Sequence, residues 1–227
     1  MDKKDIVKAQ NYLLKSSYPI VLSGAGISAD SGIPTFRSDS KLNNNFTKPI
    51  YFGHYKYFMK NPKKWWKDQL DFSSNPGRTK FRHAVENAKP NKGHYALTKM
   101  QKNNYVKNII TQNVDELHTR SGSKNVLEIH GSRYKCRCIK CDLRFPRESI
   151  SFKILPPICE CGGIIKYDTV LFGEQIPKKI LEDCVKIINK ADLILVIGTS
   201  TLVNPAASFP LHIKKNGGII IEANTMP

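Results

Sequence analysis

No stretch of the sequence approaches the roughly 18 consecutive apolar residues of a membrane-spanning helix, the longest strand-like runs being Leu193 to Ile197 and Ile219 to Ile221. A membrane partner is not expected. The N-terminal stretch MDKKDIVKAQNYLLKSS is charged and lacks the apolar centre of a secretory signal, so the expected compartment is the cytosol. Acidic residues are scarce, 19 against 36 Lys and Arg, leaving a formal net charge of +17. Such a balance attracts nucleic acid weakly and non-specifically, at roughly micromolar dissociation constants or above. The lysines are scattered and often flanked by asparagine, which describes a solvated surface more than a groove. Cysteine is equally scarce outside one segment: five of the six lie between Cys136 and Cys161, and only Cys184 stands apart. In a cytosolic chain that clustering argues for metal before disulfides. Apolar material is ample, with 40% hydrophobic residues in 227, enough for one good-sized domain with an insertion or for two small ones.

Ile20, Val21 and Leu22 form an apolar run that halts at Ser23, Gly24, Ala25 and Gly26. The pattern predicts a buried strand feeding a tight turn, with a helix starting over Ile27 to Ser31. Before it, Asp5 to Ser16 has the spacing of an amphipathic helix packed on that strand. Ser38 to Pro49 is polar and turn-rich, the composition of a loop over the Gly24 turn. Tyr51 to Phe72 reads as aromatic-rich helix broken at Asn61 and Pro62, with Tyr55, Phe58, Trp65 and Trp66 in a core. Pro76 to Gln101 reads as helix with a break at Asn91 to Gly93. Four further apolar runs follow, Val106 to Ile110, Val126 to Ile129, Leu193 to Ile197 and Ile219 to Glu222, with a helix over Lys178 to Lys190 that turns Leu181, Cys184, Val185 and Ile188 to one side. Every run stops at a polar or glycine-rich corner. That is the pattern of an α/β fold with an open parallel sheet, whose ligand sits outside the carboxyl ends of the strands.

The corners carry chemistry. Gly24 and Gly26 allow a backbone to approach a diphosphate, and free N–H groups there favour negative charge. The match to G-x-G-x-x-G is partial, since the third glycine is missing after Gly24 and Gly26. Gln112, Asn113 and Asp115 follow the second strand, where they are equally suited to cap a helix. His130 closes the third run beside Gly131, a place from which an imidazole of pKa ~6.5 can face the crevice as a base. Cys138-x-x-Cys141, then 17 residues, then Cys159-x-Cys161 presents two close pairs, as tetrahedral zinc requires. The second pair is one residue shorter than usual, which leaves Cys136 as a competing ligand. Four thiolates leave no open position for water, so the zinc is expected to be structural.

Taken in order, GAGIS (24–28) and GIPTFR (32–37), TQNVDELH (111–118), the His130–Gly131 pair, the cysteine pairs, VLFGE (170–174), GTS (198–200) and Asn224 closely resemble the motifs of the sirtuins, NAD-dependent protein deacylases. The resemblance implies a Rossmann-like parallel-sheet domain made of residues 1–37, 73–131 and 168–227. It also implies a smaller zinc-ribbon plus helical module formed by two insertions, 38–72 and 132–167. NAD would be held by Gly24, Ala25, Gly26, Ser28, Phe36, Arg37, Gln112, Asn113, Asp115, Gly198, Thr199, Ser200 and Asn224. His130 would be the general base, with Asn113 positioning a water and the ribose. The first zinc ligand falls eight residues after the catalytic histidine in the family, which selects Cys138, with Cys141, Cys159 and Cys161. Val170, Leu171, Phe172 and Gly173 would pair with an acyl-lysine protein or peptide by strand addition. Sirtuins that remove acidic acyl groups carry a Tyr and an Arg three residues apart on the helix after the Asn-Pro break. Gln69 and Phe72 stand at those places here, which implies short neutral acyl chains.

Protein mono-ADP-ribosylation needs the same crevice without a base, and His130 favours deacylation over it. A basic zinc-ribbon module for nucleic acid is the remaining alternative. Residues 132–168 hold eight basic and four acidic side chains, and a zinc with four thiolates subtracts two from that +4, leaving about +2, a weak footprint.

Overall fold

The computed structural model describes residues 3–35, 53–73 and 75–225. Phe36, Arg37 and the expected loop over 38–49 lie outside the described residues. The chain opens with α1 (Lys3–Lys15), then β1 (Pro19–Ser23) and a 3-10 turn (Ala25–Ser31). Two short helices follow, α2 (Tyr55–Lys60) and α3 (Pro62–Leu70), separated by Asn61. Asn61 caps α3 by accepting from Lys64 N–H at 2.9 Å, and Pro62 sits at the first helical position, where a missing N–H costs nothing. The expected helix over Pro76 to Gln101 is two, α4 (Pro76–Asn87) and α5 (Lys92–Lys102). The break falls at residues 88–91 because Asn91 is the cap of α5, closed by a reciprocal contact with His94.

After β2 (Asn108–Thr111), a single helical turn α6 (Leu117–Arg120) and β3 (Val126–Glu128), the chain builds a small antiparallel sheet from β4 (Lys135–Cys138), β5 (Arg144–Pro146) and β6 (Ile165–Tyr167). It returns through α7 (Lys178–Ile188), β7 (Leu193–Ile197), α8 (Phe209–Lys215) and β8 (Ile219–Ala223). The main sheet has the order β3-β2-β1-β7-β8, every pair parallel, with Val21 opposite both Ile109 and Leu195. Side-chain alternation along β1 covers both faces. Ile20 and Leu22 pack with Cys184, Ile188, Phe209 and Ile213, while Val21 packs on the other side with Ile27, Leu97 and Val106. From β1 the chain progresses outward to β2 and β3, then crosses back to β7 on the other flank. The carboxyl ends of β1 and β7 thereby form the switch point at which open parallel sheets bind ligands.

Two expectations are adjusted. No residue of α1 is fully buried, Ala9, Tyr12 and Leu13 being half-buried, and its end is tied down where Ser16 Oγ, Ser17 N–H and Tyr18 N–H all donate to the Asp192 carboxylate. On α7, Cys184 and Ile188 are buried but Val185 is exposed, and Ile187 supplies the contact instead.

The aromatic segment and the cysteine segment share one core although about 80 residues separate them. Phe58, Trp65 and Trp66 pack with Cys136, Ile165 and Tyr167. Trp65 and Trp66 meet edge to face at 5.2 Å, and Trp66 Nε1 donates to the Ile165 carbonyl at 2.9 Å, so the buried indole nitrogen is satisfied.

Between the two sheets the chain passes through Gly131, whose φ is +74° and where an added Cβ would stand 2.1 Å from the Asp168 carbonyl oxygen. A left-handed conformation costs an ordinary residue ~1–2 kcal/mol before any clash. Gly131→Ala should therefore lower the unfolding free energy by at least ~2 kcal/mol. Urea denaturation checks it, and an unchanged midpoint would contradict this close approach.

Candidate active site at the carboxyl ends of the strands

The β1 turn closes directly on the β7 corner. Gly24 N–H donates to the Ile197 carbonyl at 3.0 Å and Gly26 N–H to the Gly198 carbonyl at 2.7 Å. A Cβ at Gly24 would lie 2.6 Å from Thr199 Cβ, and one at Gly26 would lie 2.7 Å from Gly198 Cα. Gly198 itself has φ +58°. These glycines are thus required by neighbouring backbone, not only by a diphosphate, and the N–H groups of Gly24 and Gly26 are spoken for rather than free as expected. The 3-10 turn also begins at Ala25, earlier than the helix start read from the sequence.

Behind this junction lies a buried polar cluster. Ser28 Oγ donates to Asp115 Oδ2 at 2.7 Å. Asn113 Nδ2 donates to Ser28 Oγ at 3.0 Å and to the Gly24 carbonyl at 3.1 Å, so both amide hydrogens are committed and Oδ1 is what Asn113 still offers. Asp115 Oδ1 accepts from Leu117 N–H at 3.0 Å, an Asx-type cap that starts α6. Gln112 Nε2 donates to Thr199 Oγ1 at 2.8 Å, and Asn224 Nδ2 to the Thr199 carbonyl at 2.9 Å. Ser200 is exposed at the same corner. The structure therefore brings the sequence-predicted residues of β1, β2, β7 and β8 to one place.

His130 is half-buried just beyond β3, with Nδ1 3.2 Å from the Gln112 carbonyl oxygen. A carbonyl only accepts, so Nδ1 carries the proton and the lone pair of the neutral ring is on Nε2. Burial, opposed by that bond to Gln112, lowers its pKa from the ordinary 6.5. The ring is therefore in its basic form at neutral pH.

The His130 carbonyl accepts from Val170 N–H at 2.8 Å, tying the histidine to the segment expected to bind peptide. That segment is not a free strand edge. Leu171 N–H donates to Glu174 Oε2 at 2.8 Å, Phe172 N–H donates to the Gly53 carbonyl, and the Phe172 carbonyl accepts from Tyr55 N–H, both at 2.9 Å. Strand addition along Val170–Phe172 would meet donors already used, by His130, Glu174 and Gly53 in turn. Gly173, exposed at φ +76°, turns the chain away.

Glu174 was read only as part of the VLFGE segment, and its buried ion pairs were not foreseen. Arg137 pairs with Glu174 at 2.6 Å, with Asp168 at 3.2 Å and with Asp142 at 2.6 Å, and Lys166 Nζ lies 3.0 Å from Glu174. The available signal was a lysine inside the apolar run Ile164, Ile165, Tyr167. Another unsignalled pair is His94 and His118, with ring centroids 4.9 Å apart. Ser23 Oγ donates to Thr111 Oγ1, so at its 2.8 Å contact with His118 Nε2 it accepts. Burial, then His94, pushes His118 down to about 3.

The Sγ atoms of Cys138, Cys141, Cys159 and Cys161 all lie within 4.8 Å of one another, with Cys138 to Cys161 at 3.5 Å and Cys141 to Cys159 at 3.9 Å. Tetrahedral Zn–S bonds of ~2.3 Å place sulfurs ~3.8 Å apart, so the quartet fits zinc. Gly163 makes the short second pair workable: a Cβ there would meet Cys138 Sγ at 2.5 Å and Cys161 Sγ at 3.3 Å. Cys136 lies outside the quartet, and its burial in the aromatic core pushes its thiol up to about 12. Gln69 and Phe72 also hold a surprise. Arg82 donates from Nη2 to Gln69 Oε1 at 2.8 Å and its guanidinium lies 5.3 Å from the Phe72 ring centre, so a cation does stand beside both positions.

Residues 24–205 match the model of the Sir2 family. The chain is 42% identical over 93% of its length to the NAD-dependent protein deacylase 1 of Archaeoglobus fulgidus, covering 83% of that protein. A solved Sir2 homolog–NAD complex is 40% identical with a TM-score of 0.77, covering 95% of this chain and 81% of that one. A mutant Sir2 homologue in complex with 2'-O-acetyl ADP ribose is 39% identical with a TM-score of 0.77, covering 98% and 84%.

Structural zinc can contribute ~10–16 kcal/mol to a small site, comparable to a whole domain's stability. Cys161→Ala should lose its zinc and melt the small module, whereas Cys136→Ala should keep full zinc content and lose only core packing. Metal analysis with thermal melts decides it, and full zinc in Cys161→Ala would move the fourth ligand elsewhere. A pH prediction follows from His118. Unfolded, it titrates near ~6.5; folded, at about 3. Its contribution is full above pH ~6.5 and is lost as pH falls, at ~1.4 kcal/mol per unit, or ~2 kcal/mol by pH 5. Urea midpoints at pH 7 and 5 should converge by that amount in His118→Asn; an unchanged gap would refute it.

Proposed function

The chain belongs to the Sir2 family, and from that premise we propose how its residues carry the reaction of an NAD-dependent protein deacylase. The NAD-binding unit comprises residues 1–37, 73–131 and 168–227, and the second module comprises 38–72 with 132–167; the aromatic core shared by the two insertions supports that division. Zinc held by Cys138, Cys141, Cys159 and Cys161 is structural, since four thiolates close its coordination. When bound, NAD would supply an electrophilic ribose carbon, which exchanges nicotinamide for the acyl oxygen of the substrate lysine, and a neighbouring ribose hydroxyl to receive the acyl group; with one water the products are free lysine, nicotinamide and O-acyl-ADP-ribose.

The chain's own part is positioning and proton transfer. Gly24, Ala25, Gly26 and Ser28, with Gly198, Thr199, Ser200 and Asn224, hold the phosphates and adenosine at the β1–β7 switch point, joined by Arg37. Asp115, fixed by Ser28 and the start of α6, receives the nicotinamide amide, and Phe36 screens the ribose. Asn113 presents Oδ1 to a water or ribose hydroxyl, and Gln112 holds the Thr199 corner while orienting His130 through its carbonyl. His130 Nε2 takes the proton of a ribose hydroxyl. The acyl-lysine peptide docks beside Val170, Leu171, Phe172 and Gly173, using the Val170 carbonyl and Gly173 rather than the engaged N–H groups.

The observation that carries this reading is the His130–Gln112 contact of 3.2 Å, which leaves a basic Nε2 at the end of β3. Mono-ADP-ribosylation has no use for such a base, and a nucleic-acid module has none for the buried Ser28–Asn113–Asp115 cluster. Nucleic-acid contact is weak and non-specific in this reading. No described helix is long and apolar enough to cross a membrane, and a reduced cysteine quartet suits the cytosol.

A positioned base contributes roughly 10² to 10⁴ in rate. His130→Ala should lower deacetylation of an acetyl-lysine peptide by about that factor with NAD affinity nearly unchanged. The acid limb of kcat/KM should have its midpoint below 6.5, because the ring's pKa is lowered. Mass spectrometry of the products and isothermal titration with NAD test both. Full activity in His130→Ala, or ADP-ribose transfer to protein without O-acetyl-ADP-ribose, would overturn the assignment.

A further inference from the structure

Away from the NAD corner, two arginines are buried with donors left over. Arg82 on α4 is 1% exposed and Arg133, three residues after His130, is 8% exposed. Arg82 spends Nη2 on Gln69, but its Nε and Nη1 have no partner, and neither does Arg133 Nε. Aromatic rings cover the guanidinium faces, Phe72 at 5.3 Å for Arg82 and Tyr167 at 4.5 Å for Arg133. The unpaired donors therefore point for acceptors other than π-systems.

Among the described residues no carboxylate forms an ion pair with either guanidinium, although Glu86 lies close enough to favour the charge of both. Burial, then repulsion from the Arg133 and Arg78 guanidiniums, lowers Arg82 to about 10, which leaves it charged at pH 7. Nearby acids are engaged elsewhere: Glu86 pairs with Arg147 at 2.8 Å, and Asp68 accepts from the Tyr57 hydroxyl at 2.5 Å and pairs with Lys64. A buried cation without a counter-charge is costly, and a guanidinium matches carboxylate chemistry best.

We propose that Arg82 and Arg133 form a buried site for a small monoanion of carboxylate type, between α3, α4 and the β6 side of the zinc module. Its placement ties it to the active site, since Arg133 N–H donates to the carbonyl of Val114 at 2.9 Å, the residue between Asn113 and Asp115. The carboxylate has two possible sources, a free monocarboxylate or the end of an acidic acyl group on the substrate lysine. The second source rests on the deacylase reading; the site itself does not.

Thermal melts of the zinc-loaded protein in rising sodium acetate, with ionic strength held by a bulky ring sulfonate, test the site without using activity. The wild-type midpoint should rise and saturate. That dependence should vanish in Arg82→Gln and in Arg133→Gln, and persist, weakened, in Arg82→Lys, which folds with the charge retained if the Gln variants do not. A flat or non-saturating wild-type response, or the same response in a Gln variant, would overturn the proposal. Steady-state rates on succinyl-lysine and acetyl-lysine peptides then separate the sources. If the substrate supplies the carboxylate, Arg82→Gln raises KM for the succinyl peptide at least tenfold and leaves that for the acetyl peptide alone. If both are unchanged while the acetate response holds, the anion is free. Wild-type inactivity on both peptides would strike the deacylase reading and leave the melts unaffected.

Discussion

The approach of the β1 turn to the β7 corner is the constraint on which the rest of the site depends. Two parallel strands sit ~4.8 Å apart, and continuing both past their ends without a gap requires backbone to touch backbone. Gly24, Gly26 and Gly198 permit that contact, and two N–H···O bonds fix it. Once the junction is set, Asn113 can reach the Gly24 carbonyl, Ser28 can reach Asp115, and Gln112 and Asn224 can both reach Thr199. Moving the junction by an ångström would break all of these at once, because each is a short side chain at its limit of reach.

A second chain of contacts explains why a metal remote from the chemistry matters to it. Arg137 precedes the ligand Cys138, and Asp142 follows the ligand Cys141. Through Arg137 the zinc ribbon grips Asp168 and Glu174, and Glu174 in turn holds Leu171 N–H. The next N–H back, that of Val170, is on His130. The zinc ribbon thus fixes the segment beside the base through ion pairs with almost no solvent access, where losing one partner strands a charge.

The strands and their order of appearance were legible because periodicity and glycine-rich corners are local signals, and a cysteine-based metal site because two close cysteine pairs are. What sequence could not show depends on tertiary placement. The amphipathic pattern of α1 was read correctly as helix, yet nothing in it says how far its apolar side will be buried. The segment 170–173 reads as an edge strand, but its N–H groups are taken by His130, by Glu174 and by Gly53, the last over 100 positions away. Cys136 and Cys138 have equal claim to a metal until the fold shows which of them brings its sulfur to the other three. The glycines were identified for a sound reason that is only part of the truth, since their neighbours are backbone of a strand some 170 residues later.

Charge ties these observations together. A chain with 36 basic and 19 acidic residues cannot give every buried cation a counter-ion, and its acids are placed where they do most structural work. Asp115 fixes the start of α6 and Ser28. Asp168 and Glu174 hold Arg137, Arg144 and Lys166. Glu116 and Glu128 share Lys135 beside His130. Each stands at a joint between the two sheets or at a strand end, where an unpaired cation would otherwise pull the joint open toward water. Arg82 and Arg133 lie at the same seam with no acid assigned to them. Their burial is compatible with the fold only because aromatic rings, one glutamine and whatever anion enters from outside can stand in for the carboxylates the sequence does not supply.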